Sequence, residues 1–317
     1  MPSHTGLVYN DRFLLHNTGP GHPERSERLR SIEARLKSSG QWKKVHHLIF
    51  DRAPDEWILK AHSSQHLKFV REGCERGVSV LDGGDTHACP SSFDVALLAA
   101  GGALAAVDAV MTGILRNAFC AVRPPGHHAG RNSVMGFCLF NNAAIAARYA
   151  RDVHNVDRVA IVDWDVHHGN GTQEIFYDDK SVLYVSTHQY PFYPGTGSRD
   201  ERGAGEGEGY TLNIPLRAGS GEPEYIKAFT EEIVPALARY QPDLIIISAG
   251  FDAHIDDPLA NMVITEETFA AMTSMVVGAA DACCGGKVVS ILEGGYNLNA
   301  LARCVEAHVQ VLLQEHV

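Results

Sequence analysis

The chain has 317 residues, of which 45% are hydrophobic and 21% are charged, and its formal net charge is −11 at pH 7. This composition supports a sizeable folded core and excludes an intrinsically disordered chain. The acidic balance argues against a general nucleic-acid binder, which would show a basic patch or stripe. It suits a surface that attracts cationic substrates.

Targeting and redox features predict a cytoplasmic protein without a membrane partner. No run approaches the roughly 20 consecutive apolar residues that a membrane span needs. The first residues, MPSHTGLVYNDRFLLHN, lack the basic start and apolar stretch of a signal peptide. The seven cysteines are an odd number without paired metal-type spacing, which indicates reduced thiols.

Short apolar runs rich in β-branched residues predict buried parallel strands, because they do not alternate with polar residues. The predicted strands are 119–122, 159–162, 182–186, 244–248 and 287–292. Predicted helices are 92–112, 141–154, 222–240, 265–283 and 298–315. This alternation predicts an α/β sheet with helices on both faces. The Gly-rich segment 195–209 is too short to separate domains, so we predict a surface loop there and one domain over residues 1–317.

Each predicted strand is followed by a polar segment punctuated by glycine or proline. These segments are RPPGHHAG, DWDVHHGNG, THQYPFYPGTG, AGFDAHIDDP and EGGYN. In open α/β sheets, ligands bind beyond the carboxyl ends of the strands. The five segments therefore predict one shared site.

Asp163, Asp165 and His167 occupy alternate positions after the second predicted strand, which places them on one side of an extended segment. Asp252 follows another strand and adds a third carboxylate. Carboxylates and an imidazole suit a divalent ion such as Zn²⁺ with an open position for water. The combination predicts a metal site, although one carboxylate is free to orient a histidine instead.

Two further features would face this metal site. His127 and His128 are adjacent in a loop framed by prolines and glycines, and at least one is predicted to be a general base toward water. Tyr296 follows two glycines at a strand end, where its hydroxyl can donate to a polarised carbonyl. Alone, each feature has an ordinary structural interpretation, and only their combination predicts catalysis.

Other catalytic classes lack their motifs. Neither G-x-G-x-x-G at the start of a helix nor G-x-x-x-x-G-K-[ST] occurs, so nucleotide binding through these loops is not supported. No G-x-S-x-G elbow surrounds a serine, which argues against a serine hydrolase. Metal-assisted hydrolysis is the catalytic class whose residues the sequence contains.

The motifs together resemble the zinc-dependent histone deacetylase superfamily, which includes bacterial histone deacetylase-like amidohydrolases and acetylpolyamine amidohydrolases. From about Gly6 to Val311, RPPGHHA, GFCLFNN, DWDVHHGNGT, YPGTG, SAGFDAH and LEGGYN occur in family order. GHPE at 21–24, Asn170 and Glu293 resemble the class II branch. The resemblance implies the single-domain arginase–deacetylase α/β fold, whose central, mainly parallel sheet has about eight strands with helices on both faces.

The resemblance assigns roles to the catalytic residues. Asp163 would orient His127 instead of binding zinc, and Asn170 would be the corresponding partner of His128. Because a carboxylate raises the basicity of its histidine and a neutral amide does not, His127 would stay cationic and His128 neutral. His128 would then be the general base and later the general acid, while Tyr296 polarises the acetyl carbonyl.

The resemblance also implies the cofactors, one catalytic Zn²⁺ and one or two structural K⁺ ions. The zinc ligands would be Asp165, His167 and Asp252. The first potassium site would use Asp163, Asp165, His167, Ser186 and Thr187. A second, weaker potassium site would lie around Phe176, Asp179, Val182 and Tyr210.

Substrate-binding positions follow in the same way. Phe137, with its neighbour Gly136, and Tyr193 match the aromatic walls of a narrow tunnel for the alkyl stem of lysine. Asp85 matches a rim position that accepts hydrogen bonds from the substrate backbone. Arg25 corresponds to an arginine near an internal region through which acetate leaves.

Leu259 bears on the substrate, because polyamine-selective relatives carry an acidic residue at or near this position and lysine deacetylases carry leucine. We therefore expect a zinc-dependent hydrolase of N-acetyl-lysine side chains in proteins or peptides. The alternative is an acetylpolyamine or other small-amide hydrolase with the same mechanism, and the net charge of −11 would attract either cationic substrate.

Two more distant alternatives fit fewer motifs. A dimanganese arginase-like hydrolase needs further Asp and His ligands, and a catalytically silent binding protein need not fill every catalytic position. The expected partners are an acetylated lysine peptide or protein, or an acetylated small amine, and not nucleic acid. Homo-oligomerisation is left open.

Overall fold

Eight strands form one sheet in the computed structural model, which describes residues 5–314 of the chain. They are β1 (Thr5–Val8), β2 (His46–His47), β3 (Asn117–Cys120), β4 (Val159–Asp163), β5 (Val182–Gln189), β6 (Thr211–Leu216), β7 (Leu244–Ala249) and β8 (Val288–Leu292). Their spatial order is β2-β1-β3-β8-β7-β4-β5-β6, and every neighbouring pair is parallel. The expected α/β fold with about eight strands is confirmed, and these strands are parallel throughout.

The five predicted strands correspond to β3, β4, β5, β7 and β8, whose residues are all buried. β3 begins two residues earlier than predicted, because its pairing with β8 starts at Asn117. β6 was not predicted, since Pro215 interrupts its apolar pattern. It lies at the edge of the sheet, where a missing N–H is tolerated.

Ten α-helices occur within residues 5–314. They are α1 (Glu27–Ser38), α2 (Asp55–Ala61), α3 (Ser64–Glu75), α4 (Ser92–Met111), α5 (Asn142–His154), α6 (Asn170–Phe176), α7 (Glu222–Ala228), α8 (Val234–Tyr240), α9 (Glu266–Cys284) and α10 (Leu298–Leu312). α4 and α5 pack together on the sheet, while α9 packs on α8 and α10, and α1 on α10. The helices thus form two layers around the sheet, as predicted.

Helix α4 is long and apolar enough to cross a membrane by length and composition, which the sequence analysis did not anticipate. However, 78% of its most apolar window is buried inside the protein. It packs against α5 and against the strands β1, β3 and β8. We therefore assign it as a core helix.

The single helix predicted over 222–240 is wrong in its hydrogen-bond register. A π-helical turn, Phe229–Ile233, joins α7 to α8. The N–H of Val234 donates to the carbonyl of Phe229, five residues earlier. Pro235 has no N–H to offer, so ordinary α-helical bonding cannot continue through this turn.

The other predicted elements agree with the structure to within a few residues. The predicted loop at 195–209 contains only one short 3₁₀ turn, Gly205–Gly207. The last helix, α10, ends at Leu312, and the predicted end at residue 315 lies outside the described residues.

Candidate active site

The side chains predicted to share a site follow the carboxyl ends of four central strands. His127 and His128 follow β3, Asp165 and His167 follow β4, Asp252 follows β7 and Tyr296 follows β8. The sheet order places β3, β8, β7 and β4 side by side, so these loops meet at one edge. The histidines, the two aspartates and the tyrosine are buried at or below 9% exposure.

Asp165, His167 and Asp252 form a compact group of potential metal ligands. One ligand atom from each lies within 4.8 Å of the others. Nδ1 of His167 is 3.1 Å from Oδ1 of Asp165 and 3.2 Å from Oδ2 of Asp252. The geometry therefore brings together the three predicted zinc ligands.

The surroundings of this group fit a divalent cation. Oδ2 of Asp252 is buried and accepts no hydrogen bond, because its 3.2 Å contact with Nδ1 of His167 lacks hydrogen-bond geometry. A Cβ at Gly294 would lie 2.1 Å from that oxygen and 2.6 Å from Oδ2 of Asp165, so only glycine leaves this space open. Burial and the charge of Asp165 raise the pKa of Asp252 to about 7, which shows how strongly two buried carboxylates need a positive charge.

His127 and His128 have different partners, as predicted. Nδ1 of His127 lies 3.1 Å from Oδ2 of Asp163, and Nδ1 of His128 lies 2.7 Å from Oδ1 of Asn170. Burial disfavours a charged His127, but the carboxylates of Asp165 and Asp163 outweigh it and raise its pKa to about 10. Burial and the neighbouring His127 hold the pKa of His128 well below its usual range.

Glu293 holds the tandem-histidine loop by hydrogen bonds, a role that was not predicted from its resemblance to the class II branch. Its Oε2 accepts from the N–H groups of Gly126 (2.6 Å) and His127 (3.2 Å). Its Oε1 accepts from the Ser248 hydroxyl at 3.2 Å. In the sequence, the position of Glu293 in the EGGY segment at a strand end indicated a place in the site.

Tyr296 is held at its backbone and packed at its ring. Its N–H donates to Oδ2 of Asp257 at 2.6 Å, and its ring lies edge-on to Phe137 with centroids 5.7 Å apart. The guanidinium of Arg28 stacks 5.1 Å from the ring centroid. Arg28 also donates to the carbonyls of Gly295 (2.7 Å) and Glu293 (2.5 Å).

The prediction for Arg25 is wrong. Its side chain is exposed, whereas Arg28 is fully buried beneath Tyr296. α1 begins at Glu27, so Arg28 lies in its first turn on the buried face, and Arg25 precedes the helix. The internal arginine of this site is therefore Arg28.

The predicted tunnel residues lie around the opening of the site. The Tyr193 ring is 5.4 Å from that of His128 and 5.9 Å from that of His167. Gly136 has φ +55°, and a Cβ there would lie 2.2 Å from Cδ2 of His128. Its N–H donates to Oδ1 of Asp85 at 3.2 Å, which links the residue predicted for the rim to those predicted for the tunnel wall.

The predicted potassium positions are also close to strand ends. Ser186 and Thr187 lie on β5 beside β4, and Oγ1 of Thr187 is buried without a hydrogen-bond partner. Asp179, from the second predicted site, pairs with Arg148 and accepts from the Ser181 hydroxyl at 2.5 Å. Both potassium sites stay predictions.

Comparisons with known proteins agree with this geometry. A family profile described as "Histone deacetylase domain" matches residues 22–312. The chain belongs to the histone deacetylase family. A probable deacetylase of Archaeoglobus fulgidus is 42% identical, with 93% of this chain and 82% of that protein covered. The histone deacetylase-like amidohydrolase of Pseudomonas aeruginosa is 38% identical, with 98% and 87% covered.

A third relative and a solved structure add to these matches. The human polyamine deacetylase HDAC10 is 41% identical over 98% of this chain, which spans 48% of that protein's length. The crystal structure of the HDA15 HD domain has a TM-score of 0.93 and 42% identity, covering 98% of this chain and 91% of the other. This protein is therefore a hydrolytic deacetylase, and its family implies a catalytic zinc.

Two more residues of this deacetylase site were not predicted. The hydroxyl of Tyr184 on β5 donates to Oδ2 of Asp163 at 3.0 Å, beside His127. Asp257, which holds the backbone of Tyr296, also accepts from the N–H of Leu259 at 3.0 Å. Neither residue belongs to a motif that indicates its role, because each acts through a neighbouring residue. Tyr184 acts through Asp163, and Asp257 acts through Tyr296.

Proposed function

We propose that this deacetylase is a zinc-dependent amidohydrolase that removes acetyl and related acyl groups from the side-chain amine of N-acetyl-lysine in proteins or peptides. The observation that carries the proposal is the buried group of Asp165, His167 and Asp252 next to two histidines with different partners. Such a combination supplies metal ligands and a proton carrier in one site.

Asp165, His167 and Asp252 would hold the zinc through two carboxylate oxygens and one imidazole nitrogen. When bound, zinc supplies a Lewis acid that polarises the amide carbonyl and makes a water more acidic. The carbonyl of the scissile amide then points toward Tyr296, whose buried ring is fixed by Phe137 and Arg28.

His128 is the proton carrier of the proposed mechanism. Its Nδ1–H donates to the Asn170 amide oxygen, which leaves Nε2 as a free acceptor. Nε2 takes a proton from the attacking water and later delivers it to the amide nitrogen, so that the amine leaves. His127, paired with Asp163, keeps its charge through the cycle and stabilises the negative charge that develops nearby.

Tyr296 is the proposed oxyanion donor. Its hydroxyl donates to the carbonyl oxygen as negative charge develops there. The hydrogen bond from the backbone N–H of Tyr296 to Asp257 positions the ring without using the hydroxyl, which stays free for the substrate.

The preference for acyl-lysine over acetylpolyamines is proposed from Leu259. Asp257 accepts from the N–H groups of both Leu259 and Tyr296, so one carboxylate ties the leucine to the catalytic tyrosine. An apolar side chain here offers no charge to the secondary amines of a polyamine, whereas it packs against the alkyl stem of a lysine.

The test compares kcat/KM of the zinc-loaded protein for an acetyl-lysine peptide and for N-acetylspermidine. We expect the peptide to be the better substrate, and we expect Leu259→Glu to shift the ratio toward N-acetylspermidine by about tenfold or more through a new ion pair. Leu259→Met keeps the volume and the apolar character, so it serves as the matched control.

A wild-type preference for N-acetylspermidine would move the function to polyamine deacetylation with the same chemistry. Cleavage of neither substrate, with zinc bound, would contradict the proposal.

We further propose the remaining features that the family resemblance implies. Residues 1–317 act as one catalytic domain, and the seven cysteines, which are all free thiols, suit a cytoplasmic location. A K⁺ ion at Asp163, Asp165, His167, Ser186 and Thr187 would use the unpartnered Thr187 hydroxyl or nearby carbonyls. The second K⁺ ion would lie at Phe176, Asp179, Val182 and Tyr210.

A further inference from the structure

A large cavity, of about 830 Å³, lies away from the deacetylase site. Its walls come from the segments that precede β4, β5 and β6 and from the ends of α5 and α8. The active-site loops follow the carboxyl ends of the strands, so this cavity lies at the opposite edge of the sheet. None of the residues assigned to catalysis or zinc binding lines it.

The cavity is strongly basic in a protein of net charge −11. Six cationic side chains line it against two carboxylates, and a third carboxylate, Glu206, pairs with Lys180 from outside the lining, which leaves an excess of three positive charges. The cations are Arg151, Arg158, Lys180, Arg199, Arg202 and Arg239, and the carboxylates are Asp157 and Glu232. A local charge of this size, opposite in sign to that of the whole molecule, attracts anions.

Four of these cations have no internal partner. Lys180 pairs with Glu206, and Arg199 donates twice to Glu232, at 2.6 and 3.2 Å. The guanidinium groups of Arg151, Arg158, Arg202 and Arg239 form no hydrogen bond or ion pair with any described residue, and Nε of Arg151 is buried without an acceptor.

Ordinary structural roles account for only part of this arrangement. Arg151 and Arg239 lie in the last turns of α5 and α8, where a cation offsets the helix dipole. Arg158 and Arg202 lie outside helices, immediately before β4 and in the loop before β6. Arginines from segments that are distant in the chain thus place their guanidinium groups around one concave space.

The floor of the cavity is apolar and aromatic. Leu183, Leu212 and Ala236 contribute to the lining. Tyr240 and Tyr210 pack edge-to-face with centroids 5.8 Å apart, and the Tyr240 hydroxyl is engaged with the carbonyl of Lys180. A ring or another flat apolar group can rest on such a surface while its charged end meets the arginines.

We propose that this cavity binds a small molecule carrying two or three linked phosphate groups, such as a nucleoside diphosphate or triphosphate. Guanidinium groups match phosphate oxygens in paired hydrogen bonds, and four unpaired arginines suit several phosphates better than a single carboxylate. The volume matches that of ordinary small-molecule sites.

The test is titration calorimetry of the zinc-loaded protein with inorganic tripolyphosphate and with adenosine triphosphate. We expect one molecule of each to bind per chain and the affinity to fall as salt rises. Tighter binding of adenosine triphosphate would show that the floor accepts a base, and equal binding would show that only phosphates are recognised.

Two double variants separate the cavity from general charge effects. Arg151→Gln with Arg239→Gln is expected to weaken tripolyphosphate binding by about tenfold or more. Arg30→Gln with Arg217→Gln removes the same charge from exposed, unpaired arginines outside the cavity, and is expected to change affinity by less than about twofold.

Three results would overturn the proposal. These are no saturable binding of tripolyphosphate, equal losses in the two double variants, or tighter binding of a hexaglutamate peptide than of tripolyphosphate. The last would indicate a surface for an acidic protein segment.

Discussion

His127 and His128 are neighbours in the chain and equally buried, yet their environments push their pKa values apart. The carboxylates of Asp165 and Asp163 raise the pKa of His127, whereas burial and the neighbouring His127 and His167 lower that of His128, whose hydrogen-bond partner is the neutral amide of Asn170. The sequence predicted both pairings through the family resemblance. The supporting bonds of Glu293 became visible only in the folded chain.

At the residue scale, Tyr296→Phe removes the hydroxyl and keeps the ring. We expect kcat for an acetyl-lysine peptide to fall by about a hundredfold or more, because an oxyanion donor is lost. Single-turnover kinetics measure this step. Tyr225→Phe is the matched control, since its hydroxyl is buried without a partner, and near-normal turnover by Tyr296→Phe would reject the assigned role.

Gly136→Ala tests the close approach of the tunnel wall to His128. The new Cβ would lie 2.2 Å from Cδ2 of His128, so the ring must move. We expect kcat to fall by about a hundredfold, because a displacement of this size spoils alignment of the proton carrier. Gly278→Ala, at an exposed position of helix α9 with open space around it, should keep kcat and stabilise the protein by about 0.5–1 kcal/mol.

At the element scale, Glu24 connects the segment before α1 and the first turn of α1 to the distant loop that follows β3. Its carboxylate pairs with Arg123, just after β3, with Arg28 in the first turn of α1 at 3.2 Å, and with His16 at 3.4 Å. All four side chains are fully or almost fully buried. The GHPE segment therefore anchors α1 to the sheet edge that carries the site.

Glu24→Gln leaves two buried arginines without their counter-charge. We expect a loss of about 3–5 kcal/mol in the free energy of unfolding at neutral pH, measured by urea denaturation. Burial raises the pKa of Glu24, but Arg123 and His16 outweigh it and hold it well below the usual value of 4.5. The contribution of these ion pairs to the free energy of unfolding is therefore complete above pH 4.5 and is lost as the pH falls below that value.

Two comparisons check this assignment. The difference in the free energy of unfolding between Glu24→Gln and the wild type should shrink in acid, because the wild-type carboxyl group becomes protonated. The exposed neighbour Glu27→Gln should cost less than about 0.5 kcal/mol. A Glu24→Gln variant as stable as the wild type at neutral pH would show that the ion pairs contribute nothing to stability.

At the scale of the whole molecule, the proposed zinc ligands link the ends of β4 and β7 through buried carboxylates. On the proposed function, zinc would bind the folded state and offset their repulsion, so chelation should lower the melting temperature and abolish activity. At a free zinc concentration a thousandfold above Kd, the stabilisation is about 4 kcal/mol. Differential scanning calorimetry with and without chelator measures this stabilisation. Adding zinc back should restore both the melting temperature and the activity.

Asp252→Ala provides the control for this prediction. The variant lacks one ligand, so its melting temperature should no longer respond to added zinc. An equal zinc response in Asp252→Ala and the wild type would place the stabilising ion elsewhere.

Local sequence patterns determined much of this protein. Uninterrupted β-branched runs specified five of the eight strands, because a strand covered on both faces excludes polar side chains. Motifs at strand ends also predicted the metal ligands, both histidines and Tyr296, and the fold brings these residues together at one sheet edge. The edge strand β6 was missed because Pro215 interrupts its apolar pattern, and the π-helical turn before Pro235 was missed because it changes the hydrogen-bond register within an otherwise helical segment.

Only the tertiary structure decided which residues support the site from a distance. Arg28 rather than Arg25 lies beneath Tyr296, because the first turn of α1 sets which side chain points inward. The basic cavity joins arginines from α5, α8 and two loops, none of which forms a motif. Burial and charge are sums over neighbours in space, so the order of residues along the chain does not determine them by itself.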